Sequence, residues 1–304
     1  MNLRQMRYIL AIAEEQNLSA AAKKLYIAQP SLSQLLQKVE EQLGTLLFDR
    51  SATPLRPTYA GELYLSAARK TLDLSDQLRK QLDDIDNLKQ GRITLGISPF
   101  RSIHFLPRVL PTFQRRYPGI EVRLLEGQMD EIEAFMAKGV TDLSLMTLPV
   151  QNELFAYEAL LHETILAVLP SDHRLCRQLA STTSGTEAQL PLSALRDEPF
   201  ILLKPGQRMR QFSLELCRQA GFTPRIVMET ENIEAAHALA AAGLGVTLAP
   251  DTLQSVRTPT PPCYASLGDP PPSRTLVIAY RKNAYLSQAA QAFIAVAQES
   301  VGKG

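Results

Sequence analysis

"AQPSLSQLLQKVEEQLG", residues 28–44, decides how the rest of this chain is read. Leu32, Leu35, Leu36, Val39 and Leu43 recur at three- and four-residue spacings, the period of one helical face. Pro30 stands where a first-turn proline is tolerated, and Gly44 supplies a left-handed stop. A helix is expected between them. Its outward side carries Gln29, Ser31, Ser33, Gln34 and Gln37, with little of the usual Glu and Lys. Short hydroxyl and amide side chains of this kind pair with base edges in a DNA groove.

The flanking sequence supplies a setting for that helix. Asn2 is expected to cap a first helix, with Gln5 as its reciprocal partner and Met6, Ile9, Leu10 and Ala13 as its buried stripe. Ser19 is expected to cap a second short helix, "AAAKKL". Downstream, "LFDRSATPLRPTYAG" places Pro54 and Pro57 around Leu55-Arg56, which suits a short hairpin or wing. Three short helices and a wing form a DNA-binding arrangement whose third helix enters the major groove. Gln29, Pro30, Ser31, Ser33 and Gln34 then lie at the end that approaches bases. Lys23, Lys24, Lys38, Arg50 and Arg56 are expected to hold phosphates, and Ser19 and Thr58 to join the same surface. A purely structural bundle with a solvated polar face is the competing reading. Residues 1–61 carry seven Lys and Arg against five Asp and Glu, a small positive excess. So few phosphate contacts per subunit call for a dimer.

A helical stretch without proline or internal glycine follows, roughly Ala60 to Lys89. Leu65, Ala68, Leu72, Ser75, Leu78, Leu82 and Ile85 form a narrow seam, expected to be a dimerisation contact. The competing reading is a helix lying on its own domain.

From Arg92 strands and helices alternate, which predicts a mostly parallel sheet covered on both faces and divided into two α/β lobes. "STTSGTEAQLP" and "RTPTPPCYASLGDPPPS" read as loops between elements, the second stiffened by six prolines. The expected parsing is 1–59 for a winged helix-turn-helix, 60–90 for a linker helix and 91–304 for the lobes. The first lobe takes about 91–162 and 268–304, the second about 163–267.

Ligands of such sheets gather at strand carboxyl ends. These are "SPFRS" (98–102), "MTLP" (146–149), "LLKPGQRMR" (202–210) and "TEN" (230–232). Ser98, Ser102 and free N–H groups at a helix start can receive an anion, and Arg101 and Lys204 would add charge. Ordinary polar loops are the alternative for any one of these residues.

Composition bounds the rest. The chain has 304 residues, 45% hydrophobic and 21% charged, with net charge +1. That is enough for two or three compact units, and it excludes a globally basic polyanion binder. No apolar run approaches a membrane span, and "MNLRQMRYIL" lacks a signal-peptide layout. Cys176, Cys217 and Cys263 are an odd count at wide spacing, so unpaired thiols in a reducing cytoplasm are expected, with Cys217 buried and inert. The four histidines are scattered, which argues against a metal site, and no nucleophile–base–orienter set is visible, so no enzyme is expected. A small-molecule-binding protein or enzyme whose N-terminal helices serve only assembly is the alternative function.

The N-terminal stretch closely resembles the LysR-type transcriptional regulators. The matching residues are Ser19-Ala20-Ala21-Ala22, Leu25, Gln29-Pro30-Ser31-Leu32-Ser33, Val39-Glu40, Leu43-Gly44, Leu47-Phe48-Asp49-Arg50 and Thr58-Tyr59-Ala60-Gly61. "GRITLGIS", "LPRVLPTFQRRYPGIEVRLLEG", "DLSLM", "AGFTPRIVMET" and "AAGLGVTLAP" extend the likeness over nearly the whole chain. The resemblance implies a winged helix-turn-helix, a dimerising linker helix and a two-lobed domain like a periplasmic binding protein. It also implies double-stranded operator DNA, a small-molecule effector and a second copy of the chain as partners, a dimer or tetramer, RNA polymerase as a further candidate partner, and no cofactor. By the same analogy the effector lies between the lobes near Ser98, Pro99, Phe100, Arg101, Ser102, Gln128, Thr147, Leu203, Lys204 and Thr230. Two departures bear on the operator sequence: Gln34 stands where many members carry a basic residue, and "SATPLRPTYAG" replaces the more usual wing. "STTSGTEAQL" is also longer than is usual at its position.

Overall fold

A computed structural model describes residues 2–52, 54–85, 90–181 and 189–301, so most of "STTSGTEAQL" lies outside the described residues. The chain divides into two units, Met1–Ile85 and Asp86–Gly304.

In the first unit, Asn2 opens α1 (Leu3–Glu15) with a reciprocal pair. Its Oδ1 accepts from the Gln5 N–H and its own N–H donates to Gln5 Oε1, both at 2.9 Å. Met6, Ile9, Ala11 and Ile12 are the buried stripe. The second helix, α2 (Leu18–Lys24), is capped by Asn17 and not by Ser19. Asn17 Oδ1 accepts from the N–H groups of Ser19 and Ala20 at 2.8 and 3.0 Å, so Ser19 is one of the residues being capped. In α3 (Gln29–Leu43), Pro30 lies in the first turn and Gly44 stops the helix at φ 67°. Leu32, Leu36 and Val39 are buried, whereas Leu43, expected to face inward, is 44% exposed.

Strands β1 (Phe48–Asp49) and β2 (Arg56–Pro57) pair antiparallel as the wing. The next helix, α4 (Tyr59–Ile85), starts at Thr58, whose hydroxyl donates to the Leu46 carbonyl and accepts from the Gly61 N–H. A Cβ on Gly61 would stand 2.0 Å from the Leu47 carbonyl oxygen, so only glycine allows this approach. Leu65 and Ala68, expected at a dimer seam, are buried with Met6, Ile9 and Leu36 in the unit's own core, and half-buried Leu72 packs against it. The expectation is corrected for these residues: the start of α4 is part of the domain. Further along, Leu74, Leu78 and Leu82 are exposed, while the Ile85 side chain lies outside the described set.

The second unit holds two lobes. The first contains β3 (Gly91–Ile97), α5 (Pro99–His104), α6 (Leu106–Arg116), β4 (Ile120–Glu126), α7 (Met129–Ala137) and β5 (Leu143–Thr147). Here β3 lies parallel between β4 and β5. Long β6 (Phe155–Pro170) then crosses into the second lobe, made of α8 (Arg174–Ser181), β7 (Pro199–Leu203), α9 (Arg208–Gln219), β8 (Arg225–Thr230), α10 (Ile233–Ala241), β9 (Thr247–Pro250) and β10 (Pro262–Ser266). The chain returns through β11 (Ser273–Arg281) and α11 (Gln288–Val301). The expected mostly parallel sheet is therefore corrected to a mixed one: β11 is antiparallel to both β5 and β6. Residues alternate along its strands. Leu276 and Ile278 face a core with Phe113 of α6 and Phe293 of α11, while Val277 and Ala279 face Met136 of α7.

One strand serves both lobes. Residues 155–164 of β6 pair with β11, and residues 165–170 pair with β9 and β10. The proline-rich stretch expected to be wholly loop thus contains β10, an edge strand with Pro262 at its first position, where no ladder donor is needed. In the second lobe β7 and β8 run parallel under α9 and α10 around Phe200, Ile201, Leu202 and Cys217. No helix among the described residues is long and apolar enough to cross a membrane.

The cysteine expectation is also corrected. Cys176 on α8 and Cys263 on β10 are joined as a disulfide across 87 residues of sequence. The pairing of β10 with β6, from which α8 follows, brings them together. Cys217 stays free and buried, and burial pushes its thiol up to about 11. A loop of that length restricts the unfolded chain by roughly 3–5 kcal/mol. Cys263→Ser should lower denaturant stability without reductant by about 2–4 kcal/mol. Dithiothreitol should bring the wild type to the variant's level and leave the variant unchanged. Equal stability of the wild type with and without reductant would refute the cross-link.

Candidate DNA-reading face and ligand cleft

The outer side of α3 is built by what the inner side must bury. With Leu32, Leu36 and Val39 in the core, Gln29, Pro30, Ser31, Gln34, Gln37 and Lys38 are exposed and Ser33 half-buried. Ala28 offers no side-chain cap, so the first N–H groups of α3 stay available to an outside acceptor such as a phosphate. Tyr26, in the turn before α3, is 95% exposed with a φ of 54°, and sequence pattern alone does not single it out. Its signal is an aromatic residue in the turn between two helices.

The basic residues divide. Lys23 and Lys38 are exposed without an ion pair among the described residues, and Arg56 is exposed on β2. Lys24 is bound to Glu14 and Glu15 at 3.1 and 2.7 Å, and these hydrogen bonds raise its pKa. Arg50 donates to Glu40 at 2.7 Å. Glu40 itself is 4% exposed and accepts from the Leu47 N–H at 2.8 Å, so Arg50 is anchored to α3 and the wing's first strand. Thr58 is spent on Leu46 and Gly61. Lys24 and Arg50 are thus each paired with carboxylates of their own unit and Thr58 with its backbone, while Ser19 remains exposed.

In the second unit a cavity of about 340 Å³ lies between the lobes, at the carboxyl ends of β3, β5, β7 and β8. Of the expected residues, Ser98, Pro99, Phe100, Arg101, Gln128, Thr147 and Leu203 line it, and Ser102, Lys204 and Thr230 do not. Each of the three has a local reason. Ser102 lies inside α5 with its Oγ buried, the Lys204 Nζ is drawn to Glu231 at 2.8 Å, and the Thr230 Oγ1 accepts from the Asn232 N–H. Met146, Arg208 and Met209 also line it from the strand-end stretches 146–149 and 202–210, and so do Met129, Glu234 and Arg274, which the sequence does not announce. Arg274 opens β11, far along the chain from the other strand ends, so no local pattern marks it.

Behind the cavity lies a buried charge cluster. Arg101 holds Glu163 with two parallel bonds of 2.5 Å, Arg274 Nε donates to Glu163 at 3.0 Å, and Thr252 donates at 3.1 Å. Glu163 is 1% exposed and stands on β6 just before the strand changes sheets. Burial pushes its carboxyl up, but hydrogen bonding and charge from Arg101, with charge from Arg274, outweigh that and hold it at about 2. Burial in turn brings the Arg274 guanidinium down to about 10 against the pull of Glu163. At the rim two pairs join the lobes: Arg208 of α9 to Glu133 of α7 at 3.0 Å, and His104 of α5 to Glu234 of α10 at 2.5 Å.

Glu163 ties stability to pH. Its folded pKa lies below the unfolded one, so its contribution is complete above about pH 4.5 and is lost as pH falls toward 2. The wild type should lose about 3 kcal/mol more than Glu163→Gln over that range in acid-dependent chemical unfolding. Parallel acid profiles for the two proteins would refute the role.

Comparison with known proteins follows the same division. Residues 3–62 match the family described as "Bacterial regulatory helix-turn-helix protein, lysR family", and residues 86–302 match "LysR substrate binding domain". The chain is 34% identical to the Bacillus subtilis "Uncharacterized HTH-type transcriptional regulator YcgK", over 99% of this chain and 95% of that one. It is 29% identical to the "Transcriptional dual regulator GltC" of the same organism, over 96% and 95%. Among solved structures, a full-length OxyR variant from Pseudomonas aeruginosa superposes with a TM-score of 0.71 at 25% identity, covering 99% of this chain and 94% of that one.

Proposed function

The chain belongs to the LysR family of DNA-binding transcriptional regulators, and from that premise we propose how its residues perform the task. α3 enters the major groove by its N-terminal end. Gln29, Ser33 and Gln34 meet base edges, and Lys23, Lys38 and Arg56, with the uncapped N–H groups of α3, take phosphates. The carrying observation is the exposed, nearly uncharged hydrogen-bonding face of α3 on a helix locked by Leu32, Leu36 and Val39. A solvated helix needs no such run of amides and hydroxyls; a base-reading one does.

Two chains are joined by the outer edge of α4. Leu74, Leu78 and Leu82 recur every four residues and are 67%, 55% and 57% exposed, a seam too narrow for a domain core and suited to a partner helix. The assembly is a dimer or a tetramer built from such dimers, working in the cytoplasm on double-stranded DNA. The cavity between the lobes takes a small-molecule effector. That ligand shifts the balance between lobe geometries through the rim pairs Arg208–Glu133 and His104–Glu234. A tenfold preference for one geometry supplies about 1.4 kcal/mol of coupling.

Gln29→Ala and Ser33→Ala should each weaken binding to the gene's own upstream region by about 1–3 kcal/mol at fixed salt. Lys38→Ala should weaken all sequences alike and flatten the salt dependence. A gel shift in which the two α3 variants bind like the wild type would remove those side chains from the interface. Leu78→Asp with Leu82→Asp should reduce the oligomer to a smaller species by light scattering. An unchanged mass would place the joint elsewhere.

A further inference from the structure

The charges around the cavity do not balance at its floor. Arg101, Arg208 and Arg274 line it together with two carboxylates, Glu231 and Glu234. Each carboxylate already holds a basic side chain, Lys204 or His104, and Arg208 already holds Glu133. Arg101 and Arg274 remain, with side chains 6% and 9% exposed, sharing the single carboxylate of Glu163. Glu163 does not line the cavity, so a ligand meets the two guanidinium groups with their counter-charge behind them. Asp251 also acts by its charge on Arg274, but it does not line the cavity, and its Oδ2 accepts from the Thr164 N–H at 3.1 Å.

The donors are also underused. Arg274 gives Nε to Glu163 and Nη1 to the thioether of Met209 at 3.5 Å. A thioether is a weak acceptor, and a guanidinium removed from water is a strong donor that a carboxylate satisfies far better. Much of the remaining wall is apolar, contributed by Phe100, Leu145, Met146, Leu203, Ile233 and Leu276. One unbalanced cation at one end of a compact apolar chamber fits a monoanion with an apolar body. It fits a dianionic phosphate ester or a polyol poorly.

We propose that the effector is a small monocarboxylic acid with a compact apolar body, its carboxylate received by Arg274 and Arg101 at the cavity floor. This rests on the reading of the cavity as the effector site. The ligand carboxylate displaces the Met209 sulfur from Arg274 and supplies the negative charge that Glu163 alone does not. Glu163 is then an internal competitor for the same two cations, and its neutralisation strengthens the ligand's hold.

The test uses the full chain with hexanoate, phenylacetate and their neutral amides as probes, read by calorimetry and ligand-observed NMR at about pH 7.5, where carboxylic acids are ionised. The acids should bind at least tenfold more tightly than hexanamide and phenylacetamide. Arg274→Gln should abolish that preference. Glu163→Gln should raise affinity for the acids at least threefold and leave the amides unchanged. Amides that bind as well as the acids would overturn the proposal while leaving the cavity as the effector site. Failure of all four probes to bind would count against both readings. The acid–amide comparison in the wild type decides the matter even where a variant does not fold.

Discussion

One carboxylate organises the ligand-binding half of this molecule. Glu163 sits on the only strand shared by the lobes' main sheets among the described residues, immediately before it changes partners, and binds Arg101 of α5, Arg274 of β11 and Thr252 of the second lobe. Three segments distant in sequence are thereby fixed at the point where the lobes join. Such a cluster is weak evidence for stability, because removing the ions from water offsets much of their attraction. Its effect is on position. The two guanidinium groups are held against the cavity floor by a group that the cavity does not see.

A similar device operates in the DNA-binding unit. Glu40 is the one charged side chain on the buried side of α3. It accepts from the N–H of Leu47 and binds Arg50, so the recognition helix and the first wing strand are fixed to each other by the same carboxylate. Arg50 is therefore held in place as a spacer between α3 and the wing. Gly61 has a related task at the next junction, where any Cβ would collide with the Leu47 carbonyl. Groove reading depends on such spacing, since a helix held at the wrong angle presents its Gln and Ser to the wrong base pairs.

What can be read from the sequence is what is locally encoded. The Asn2 and Gln5 pair, the Pro30 start and the Gly44 stop each depend on residues close along the chain, and α3 is legible for that reason. Strand order is less so. β10 hides in a proline-rich stretch because an edge strand tolerates proline, and β11 is antiparallel because the chain re-enters the first lobe from the far side. Asn17 takes the capping role in place of Ser19, a short displacement that the pattern cannot resolve. Cys176 and Cys263 meet only through strand pairing, as do Glu163 and Arg274. Seven expected cleft residues are legible because strand carboxyl ends converge in any such sheet. Arg274 is not, since its placement depends on β11 returning beside β6.

The rim explains why so small a ligand can matter. Arg208 and Glu133 are 23% and 25% exposed, and His104 and Glu234 are 11% and 28% exposed. Pairs in partial contact with water contribute on the order of 1 kcal/mol or less each. The rim pairs therefore favour this lobe arrangement only slightly. The buried cluster behind the cavity does not open, because separating Arg101 from Glu163 would strand ions in a place without water. On the proposed mechanism, weak links at the rim and a strong one at the floor leave the balance of lobe geometries within reach of a single bound molecule. An effector with a proposed preference of about 1–3 kcal/mol would match so small a difference, whereas a rim of buried ion pairs would hold against it.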